Sequence, residues 1–178
     1  MSNAIEQLKN PLGQLILPDI ITPIHIKKWI NDLANFPTNL NKLVKDLTNI
    51  ELESQYRPNS WNIKQIVHHC ADSHMISYIR LKLALTEPTP TVKPYDENLW
   101  AQLADSVDCD ITHSLHIIDG VHARWVFLLN TLSEETLEKT FYHPESKKIV
   151  SIKENTGIYA WHCLHHLAHI QLAIKNSH

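Results

Sequence analysis

The sequence predicts an all-α protein, a four-helix bundle with short extra helices and a small hairpin or loop before the last helix. Only 3 of the 178 residues are glycine, which argues against a turn-dense β architecture and against glycine-rich phosphate loops. Four long segments carry the signals that start and stop helices. Long helices joined by short ones are typical of a helical bundle.

The first long helix is predicted to begin at Thr22 and Pro23. Threonine is a common N-cap residue, and proline favours the first helical position because its missing N–H is not needed there. The helix is expected to run through KKWINDLANF to about Phe36. Pro37 should end it and restart a short helix.

The second and third long helices have similar signals. Ser60 is the predicted N-cap of WNIKQIVHHCADSHMISYIRLKLALTE, and Pro88 ends that helix. Asp96 can cap a short helix, ENLWAQLAD. The third long helix is expected from about Ile111 through SLHIIDGVHARWVFLLNTL.

The last long helix has the best-marked start. Ser133 can cap a short EETLEKT helix, and residues 141–152, FYHPESKKIVSI, should form a small hairpin or irregular loop containing Pro144. Ser151 and Glu154 then form a capping box, in which each side chain satisfies a free backbone N–H of the other. This predicts a final helix from about residue 151 onward.

Composition limits the function classes. The length suits one domain over residues 1–178, with residues 1–21 as an extended N-terminal segment. The net charge is −3 and no Lys/Arg cluster stands out, so we expect no nucleic-acid partner. The N-terminus lacks a signal-peptide pattern and no stretch approaches 18 apolar residues, so we expect a cytoplasmic protein without membrane association. The three cysteines, an odd number, fit reduced thiols.

The final helix carries an unusual histidine cluster. Residues 159–169 read YAWHCLHHLAH. At roughly 100° per residue, its four histidines share one arc of about 100°. They form two pairs with i, i+4 spacing, His162 with His166 and His165 with His169, and either pair could converge on one metal ion. Since a catalytic zinc site uses three protein ligands, a third must come from elsewhere.

The second long helix offers candidates for that third ligand. Its VHHCADSH segment contains His68, His69, Asp72 and His74, and metal sites in bundles are built from facing side chains. His68 and His69 point about 100° apart, so only one of them should face the metal. Periodicity leaves that choice open.

Several motifs in the same order resemble the YfiT family of metal-dependent hydrolases within the DinB-like superfamily. They are RPNSWNIKQIVHHCADSHMISYIRLKLALTE, KPYDENLWAQLAD, HARWVFLLNTLSEE, FYHPES and YAWHCLHHLAHI, and the resemblance spans roughly residues 11–172. It implies a single DinB-like bundle, a homodimer, and one divalent metal ion per subunit, zinc or nickel, held by three histidines. The motif HHCAD indicates His69 as the first ligand, with His68 as the alternative, and WHCLHHLAHI indicates His162 and His166.

The implied activity is hydrolysis of a small molecule by a metal-activated water. Asp72 is the candidate catalytic residue, through orientation of a ligand imidazole, and Glu154 is an alternative unless its capping box occupies it. Two other functions stay open, a metal-dependent transferase of a low-molecular-weight thiol and a non-catalytic metal-binding module. Further side chains expected to line the pocket are His74, Arg124, Tyr142, His143 and Tyr159.

The remaining histidines and two of the cysteines are expected to have no role in the site. Cys70 and Cys163 adjoin presumed ligands but are turned about 100° away from them, so we interpret them as small core residues. The histidines expected to be isolated surface imidazoles are His25, His113, His116, His122 and His178.

Overall fold

Four long helices form the bundle. The computed structural model describes residues 2–176, and the side chains from residue 5 onward. In chain order the elements are α1 Ser2–Lys9, α2 Pro23–Val44, α3 Asn49–Leu52, α4 Ile63–Thr86, α5 Glu97–Trp100, α6 Ala104–Val107, α7 Ile111–Asn130, α8 Glu134–Leu137, β1 Thr140–His143, β2 Lys148–Ser151 and α9 Ile152–Asn176. This confirms the predicted four-helix bundle.

The packing order places α4 beside α9. Helices α2 and α4 each contact both α7 and α9, so α2 and α4 lie on opposite corners of the bundle. The core between the four helices contains Leu33, Phe36, Ile66, Trp125 and Ile170, each no more than 1% exposed. Among the helices of residues 2–176, none combines the length and hydropathy that crossing a bilayer requires.

Local signals placed most of the short elements correctly. Asp96 caps α5 by accepting from the Asn98 and Leu99 amides, and Ser133 caps α8. The hairpin pairs β1 with β2 in antiparallel register, Thr140 opposite Ser151. The predicted capping box is present at the start of α9, since the Ser151 amide donates to Glu154 Oε2 at 2.7 Å and the Glu154 amide donates to Ser151 Oγ at 3.2 Å.

The predicted break at Pro37 is wrong. Helix α2 continues through Pro37 to Val44. Proline has no N–H to donate to the carbonyl four residues earlier, which is Leu33. That carbonyl instead accepts from His122 Nδ1 on α7 at 2.7 Å, so the hydrogen bond lost within the helix is replaced from another helix.

Two other boundaries differ from the prediction. Asn62, and not Ser60, caps α4, because the Asn62 side chain accepts from the Gln65 amide at 2.8 Å while the Ser60 hydroxyl donates to the Arg57 carbonyl. The extended N-terminal segment predicted for residues 1–21 is wrong for residues 2–9, which form α1 and contact α9.

Candidate metal centre

Three imidazoles from two helices meet at one point. His69 on α4 lies opposite His162 and His166, which are one turn apart on α9. The Nε2 atom of His162 is 3.3 Å from Nε2 of His69 and 3.2 Å from Nε2 of His166. One ligand atom from each of the three residues lies within 4.8 Å of the others.

These distances fit a tetrahedral metal site. Zn–N bonds of about 2.0–2.1 Å at the tetrahedral angle separate two ligand nitrogens by about 3.3–3.4 Å. The measured separations from His162 Nε2, 3.2 and 3.3 Å, agree with that geometry. Three neutral imidazoles leave a fourth position free, which is the coordination of a catalytic zinc site.

The electrostatics favour the neutral form that metal binding needs. Burial lowers the pKa of His69 to about 4 and holds the pKa values of His162 and His166 well below 6.5, and neighbouring imidazoles lower all three further. A neutral imidazole offers its lone pair to a cation without first releasing a proton. The cluster therefore presents three neutral imidazoles at neutral pH, the form that acts as a metal ligand.

The structure separates these residues from the alternatives that the sequence left open. His68 faces α7, where its Nδ1 is 2.8 Å from Ser114 Oγ and its Nε2 is 3.3 Å from the Cys109 carbonyl. His169 Nε2 donates to the Lys9 carbonyl at 3.0 Å. These hydrogen bonds direct both nitrogens of His68, and Nε2 of His169, away from the three-histidine cluster.

The interaction predicted for Asp72 is not formed. Within residues 2–176 its carboxylate makes no hydrogen bond to His69, His162 or His166. Its position on α4 turns it toward α6, where burial and the nearby Asp105 raise its pKa to about 6. The hydroxyl of the next residue, Ser73, lies at the cavity instead.

Glu154 is also unavailable to a ligand. Its Oε2 accepts from both the amide and the hydroxyl of Ser151, at 2.7 and 2.6 Å. The capping box therefore occupies this carboxylate, one of the two possibilities that the sequence allowed.

A cavity of about 540 Å³ opens beside the three histidines. Its walls are mainly aromatic, with one carboxylate among the described lining residues. Side chains on the wall include Arg57, Trp61, Tyr95, Glu97, Tyr159 and Trp161. The volume is within the range of small-molecule sites.

Of the side chains expected to line the pocket, Tyr159 does so, and its hydroxyl lies 3.2 Å from Ser73 Oγ. The other four do not line this cavity. Tyr142 and His143 belong to β1, and Arg124 is exposed, with its guanidinium over the Tyr78 ring. His74 is 0% exposed and lies behind His162.

One buried histidine was missed by the sequence analysis. His122, predicted as a surface imidazole, is only 1% exposed. Its ring lies between Leu33 and His74 and bonds to both. The signal that could have found it is Pro37, because a helical proline leaves a carbonyl that needs another donor.

The other predictions for histidines and cysteines have mixed outcomes. His113 and His116 are exposed, as predicted, whereas His25 is half-buried against Thr22 at the start of α2. His178 lies outside the described residues. Cys70 and Cys163 are fully buried free thiols, which confirms their prediction as core residues.

Comparison with known proteins identifies the family. Residues 33–170 match the model of the DinB superfamily. The chain belongs to the DinB superfamily. A relative from Oceanobacillus iheyensis is 50% identical over 167 residues, which cover 94% of this chain and 96% of the relative. YfiT from Bacillus subtilis is 42% identical over 163 residues, covering 92% of each chain. Both relatives bear the provisional name of metal-dependent hydrolase.

The fold of this DinB-superfamily chain also matches a solved structure. Bacillus subtilis YfiT, described as having an unusual four-helix bundle topology, aligns with a TM-score of 0.93 at 40% sequence identity. The alignment covers 96% of this chain and 98% of YfiT. The resemblance to the YfiT family that the motifs indicated is therefore confirmed over nearly the whole chain.

Proposed function

We propose that this DinB-superfamily protein is a metal-dependent hydrolase of a small molecule, with one divalent ion held by His69, His162 and His166. The observation that carries the proposal is that His162 Nε2 lies at tetrahedral spacing, 3.2–3.3 Å, from the Nε2 atoms of His69 and His166 beside an open cavity. The names of the relatives support the same activity. Three imidazoles suit zinc and nickel alike, so the donor set does not select between them.

When bound, the ion would acidify a water and polarise the scissile group of the substrate. The chain supplies the rest of the site. Tyr159 is buried and its pKa is raised, mainly by desolvation, so its hydroxyl stays protonated and can donate a hydrogen bond to a substrate oxygen. Trp61 and Trp161 provide apolar walls that hold an uncharged part of the substrate and exclude bulk water.

A second candidate, transfer of a low-molecular-weight thiol to an electrophile, is favoured by one observation. Among the described residues that line the cavity, Glu97 is the only carboxylate. No carboxylate of the described residues is hydrogen-bonded to His69, His162 or His166. Hydrolysis gains from a general base, whereas a thiol, with a pKa of about 8.5, needs less help to become a nucleophile.

Metal content tests the site. Protein prepared without metal-affinity resin should contain about one ion per chain by mass spectrometry. His69→Ala, His162→Ala and His166→Ala should each lose it, because two remaining imidazoles bind weakly. His68→Ala is the matched control, a buried histidine on α4 that faces α7, and should retain the ion. Wild-type protein without metal, or variants that keep it, would overturn the proposal.

A paired assay separates the two activities. A panel of small esters, amides and alkyl electrophiles is incubated with the metal-loaded protein, with and without bacillithiol or cysteine. Hydrolysis predicts products that have incorporated the oxygen of water and that form at equal rates with and without the thiol. Products that form only with thiol present, and that contain it, would favour the transferase and contradict the hydrolase. His166→Ala controls for reactions that do not use the site.

A further inference from the structure

Behind the metal centre, three buried rings form a line of hydrogen bonds that we call the imidazole chain, consisting of His162, His74 and His122. His162 Nδ1 lies 2.9 Å from His74 Nε2, and His74 Nδ1 lies 2.7 Å from His122 Nε2. His122 Nδ1 then lies 2.7 Å from the Leu33 carbonyl oxygen. Each ring therefore uses one nitrogen toward the metal centre and one away from it.

The carbonyl at the end fixes the direction of every bond in the imidazole chain. A carbonyl oxygen only accepts, so His122 Nδ1 must carry the hydrogen. In a neutral ring the other nitrogen is then an acceptor, so His122 Nε2 accepts from His74 Nδ1–H, and His74 Nε2 accepts from His162 Nδ1–H. This leaves His162 Nε2 without a hydrogen and with its lone pair directed at His69 and His166.

Pro37 explains why the carbonyl is available. In an α-helix the carbonyl of residue 33 would accept from the amide of residue 37, but proline has no amide hydrogen. Leu33 is 0% exposed, so water cannot take that place, and an unsatisfied buried carbonyl is costly. A proline on α2 thus anchors the imidazole chain that ends at a metal ligand on α9.

We propose that His74 and His122 are positioning residues that fix His162 in the Nδ1–H tautomer and present its Nε2 atom to the ion. The inference rests on the proposed metal site. It also distinguishes the two ligands on α9, because the buried Nδ1 of His166 has no hydrogen-bond partner among the described residues. His162 is therefore oriented through its Nδ1 before metal arrives, whereas no hydrogen bond among the described residues orients His166 through its Nδ1.

A second metal ion between His74 and His122, in place of their hydrogen bond, fits the distances less well. His74, His122 and Cys163 do place three ligand atoms within 4.8 Å of one another. However, the 2.7 Å between His74 Nδ1 and His122 Nε2 is shorter than the about 3.3 Å between two nitrogens on one tetrahedral zinc ion. It is the length of a strong hydrogen bond, which agrees with donation from His74 Nδ1 to His122 Nε2.

The first test uses the wild-type protein without metal. Histidine-selective ¹⁵N labelling and NMR report which ring nitrogen carries the hydrogen. His162, His74 and His122 should each be protonated at Nδ1 and unprotonated at Nε2, the reverse of the tautomer that predominates in a free neutral histidine side chain. A hydrogen on Nε2 of His162 would overturn the inference. The measurement does not depend on whether the protein binds metal.

The second test is zinc affinity, measured by competition with a chromogenic chelator. His74→Phe keeps a ring in the core and removes both hydrogen bonds, and loss of such a partner weakens metal binding by about 10–100-fold. His74→Gln, whose amide oxygen can accept from His162, should recover most of that loss. His122→Asn can still donate to the Leu33 carbonyl but does not reach His74, so it should weaken zinc binding without contacting any ligand.

His68→Phe is the matched control, because it also removes a buried, hydrogen-bonded imidazole from α4. Its zinc affinity should stay close to that of the wild type. The inference fails if His74→Phe binds zinc no more weakly than His68→Phe, or if His74→Gln is as weak as His74→Phe. If His74→Phe does not fold, the wild-type tautomers and His74→Gln decide the question. Wild-type protein that binds no zinc refutes the proposed function but leaves the tautomer result standing.

Discussion

Two histidine pairs on α9 have the same spacing but different surroundings. The inner pair, His162 and His166, faces His69 on α4, with ring nitrogens 3.2–3.3 Å apart. In the outer pair, His165 stacks on Trp161 of the same helix, and His169 faces the N-terminal segment and the loop before α4. His169 stacks on Tyr56 with ring centroids 3.9 Å apart and donates to the Lys9 carbonyl.

The difference shows that the opposing element determines what a histidine pair can bind. Both pairs fall on one helical arc, and the roughly 60° between them decides only which neighbour each pair meets. The inner pair meets a third imidazole, His69, whose Nε2 lies 3.3 Å from that of His162. In the outer pair, His169 meets the Tyr56 ring and donates from Nε2 to the Lys9 carbonyl. Among the described residues, neither His165 nor His169 belongs to a group of three metal-ligating atoms that lie close together.

Metal content should separate the pairs most strongly. His162→Ala and His166→Ala should reduce bound metal from about one ion per chain to almost none, whereas His165→Ala and His169→Ala should retain it, because only the inner pair completes a three-ligand site. Mass spectrometry on protein purified without metal-affinity resin measures this. Loss of metal in all four variants would mean that the two pairs act as one cluster.

Acid stability gives the next largest effect. Burial holds the pKa of His166 well below 6.5, so in metal-free protein it binds a proton only after unfolding. Its contribution to stability is present above the unfolded pKa of about 6.5 and is lost as the pH falls below it, by about 1.4 kcal/mol per pH unit. Burial also lowers the pKa of His169, but the hydrogen bond to the Lys9 carbonyl opposes the shift.

Urea unfolding with chelator present, at several pH values between 6.5 and 4.5, measures this difference. His166→Gln should flatten the dependence of the unfolding free energy on pH more than His169→Gln does. Equal flattening by the two variants would contradict the view that the inner pair is the more strongly desolvated.

The sequence predicted the features that depend on neighbours along the chain. The capping box of Ser151 and Glu154, the cap at Asp96 and the hairpin before α9 are all local, and all are present. The two candidate histidine pairs were also visible from spacing. Choosing between them needed the family resemblance, since spacing does not reveal which helix lies opposite.

The features near the histidines that were predicted wrongly depend on long-range contacts. One hydrogen bond accounts for both the helical Pro37 and the buried His122. It joins His122 Nδ1 to the Leu33 carbonyl, 89 residues away along the chain, and replaces the bond that Pro37 cannot donate. Each residue alone indicates the opposite, a helix end and a surface imidazole. Asp72 was likewise predicted to orient a ligand imidazole because of its position on α4. Its carboxylate instead lies near Asp105 of α6.

The packing of α9 against α2 can be changed without substituting a histidine. A Cβ atom on Gly157 would lie 2.8 Å from Leu17 Cδ2 and 2.9 Å from the Trp29 ring, so Gly157→Ala requires these side chains, or α9 itself, to shift. Overpacking of this kind costs about 1–3 kcal/mol. The loss of stability should be smaller than that of the acid titration, because the strain is confined to the contacts with Leu17 and Trp29 and both histidine pairs keep their side chains.

Gly120→Ala on α7 is the matched control, since a Cβ atom there meets nothing within 4 Å. Alanine is the better helix former, so this variant should gain about 0.5–1 kcal/mol. Urea unfolding at neutral pH measures both changes. A Gly157→Ala variant that is as stable as Gly120→Ala would show that α9 is not closely packed on α2.

The smallest effect is expected at the outer pair itself. His169→Phe keeps a ring to stack on Tyr56 but removes the hydrogen bond to the Lys9 carbonyl, at a cost of about 0.5–1.5 kcal/mol. Because that carbonyl ends α1, hydrogen exchange followed by mass spectrometry should become faster in residues 2–9 and stay unchanged in α4. Faster exchange in α4 as well would mean that the outer pair supports the metal centre, and that the two pairs on α9 are less independent than their surroundings indicate.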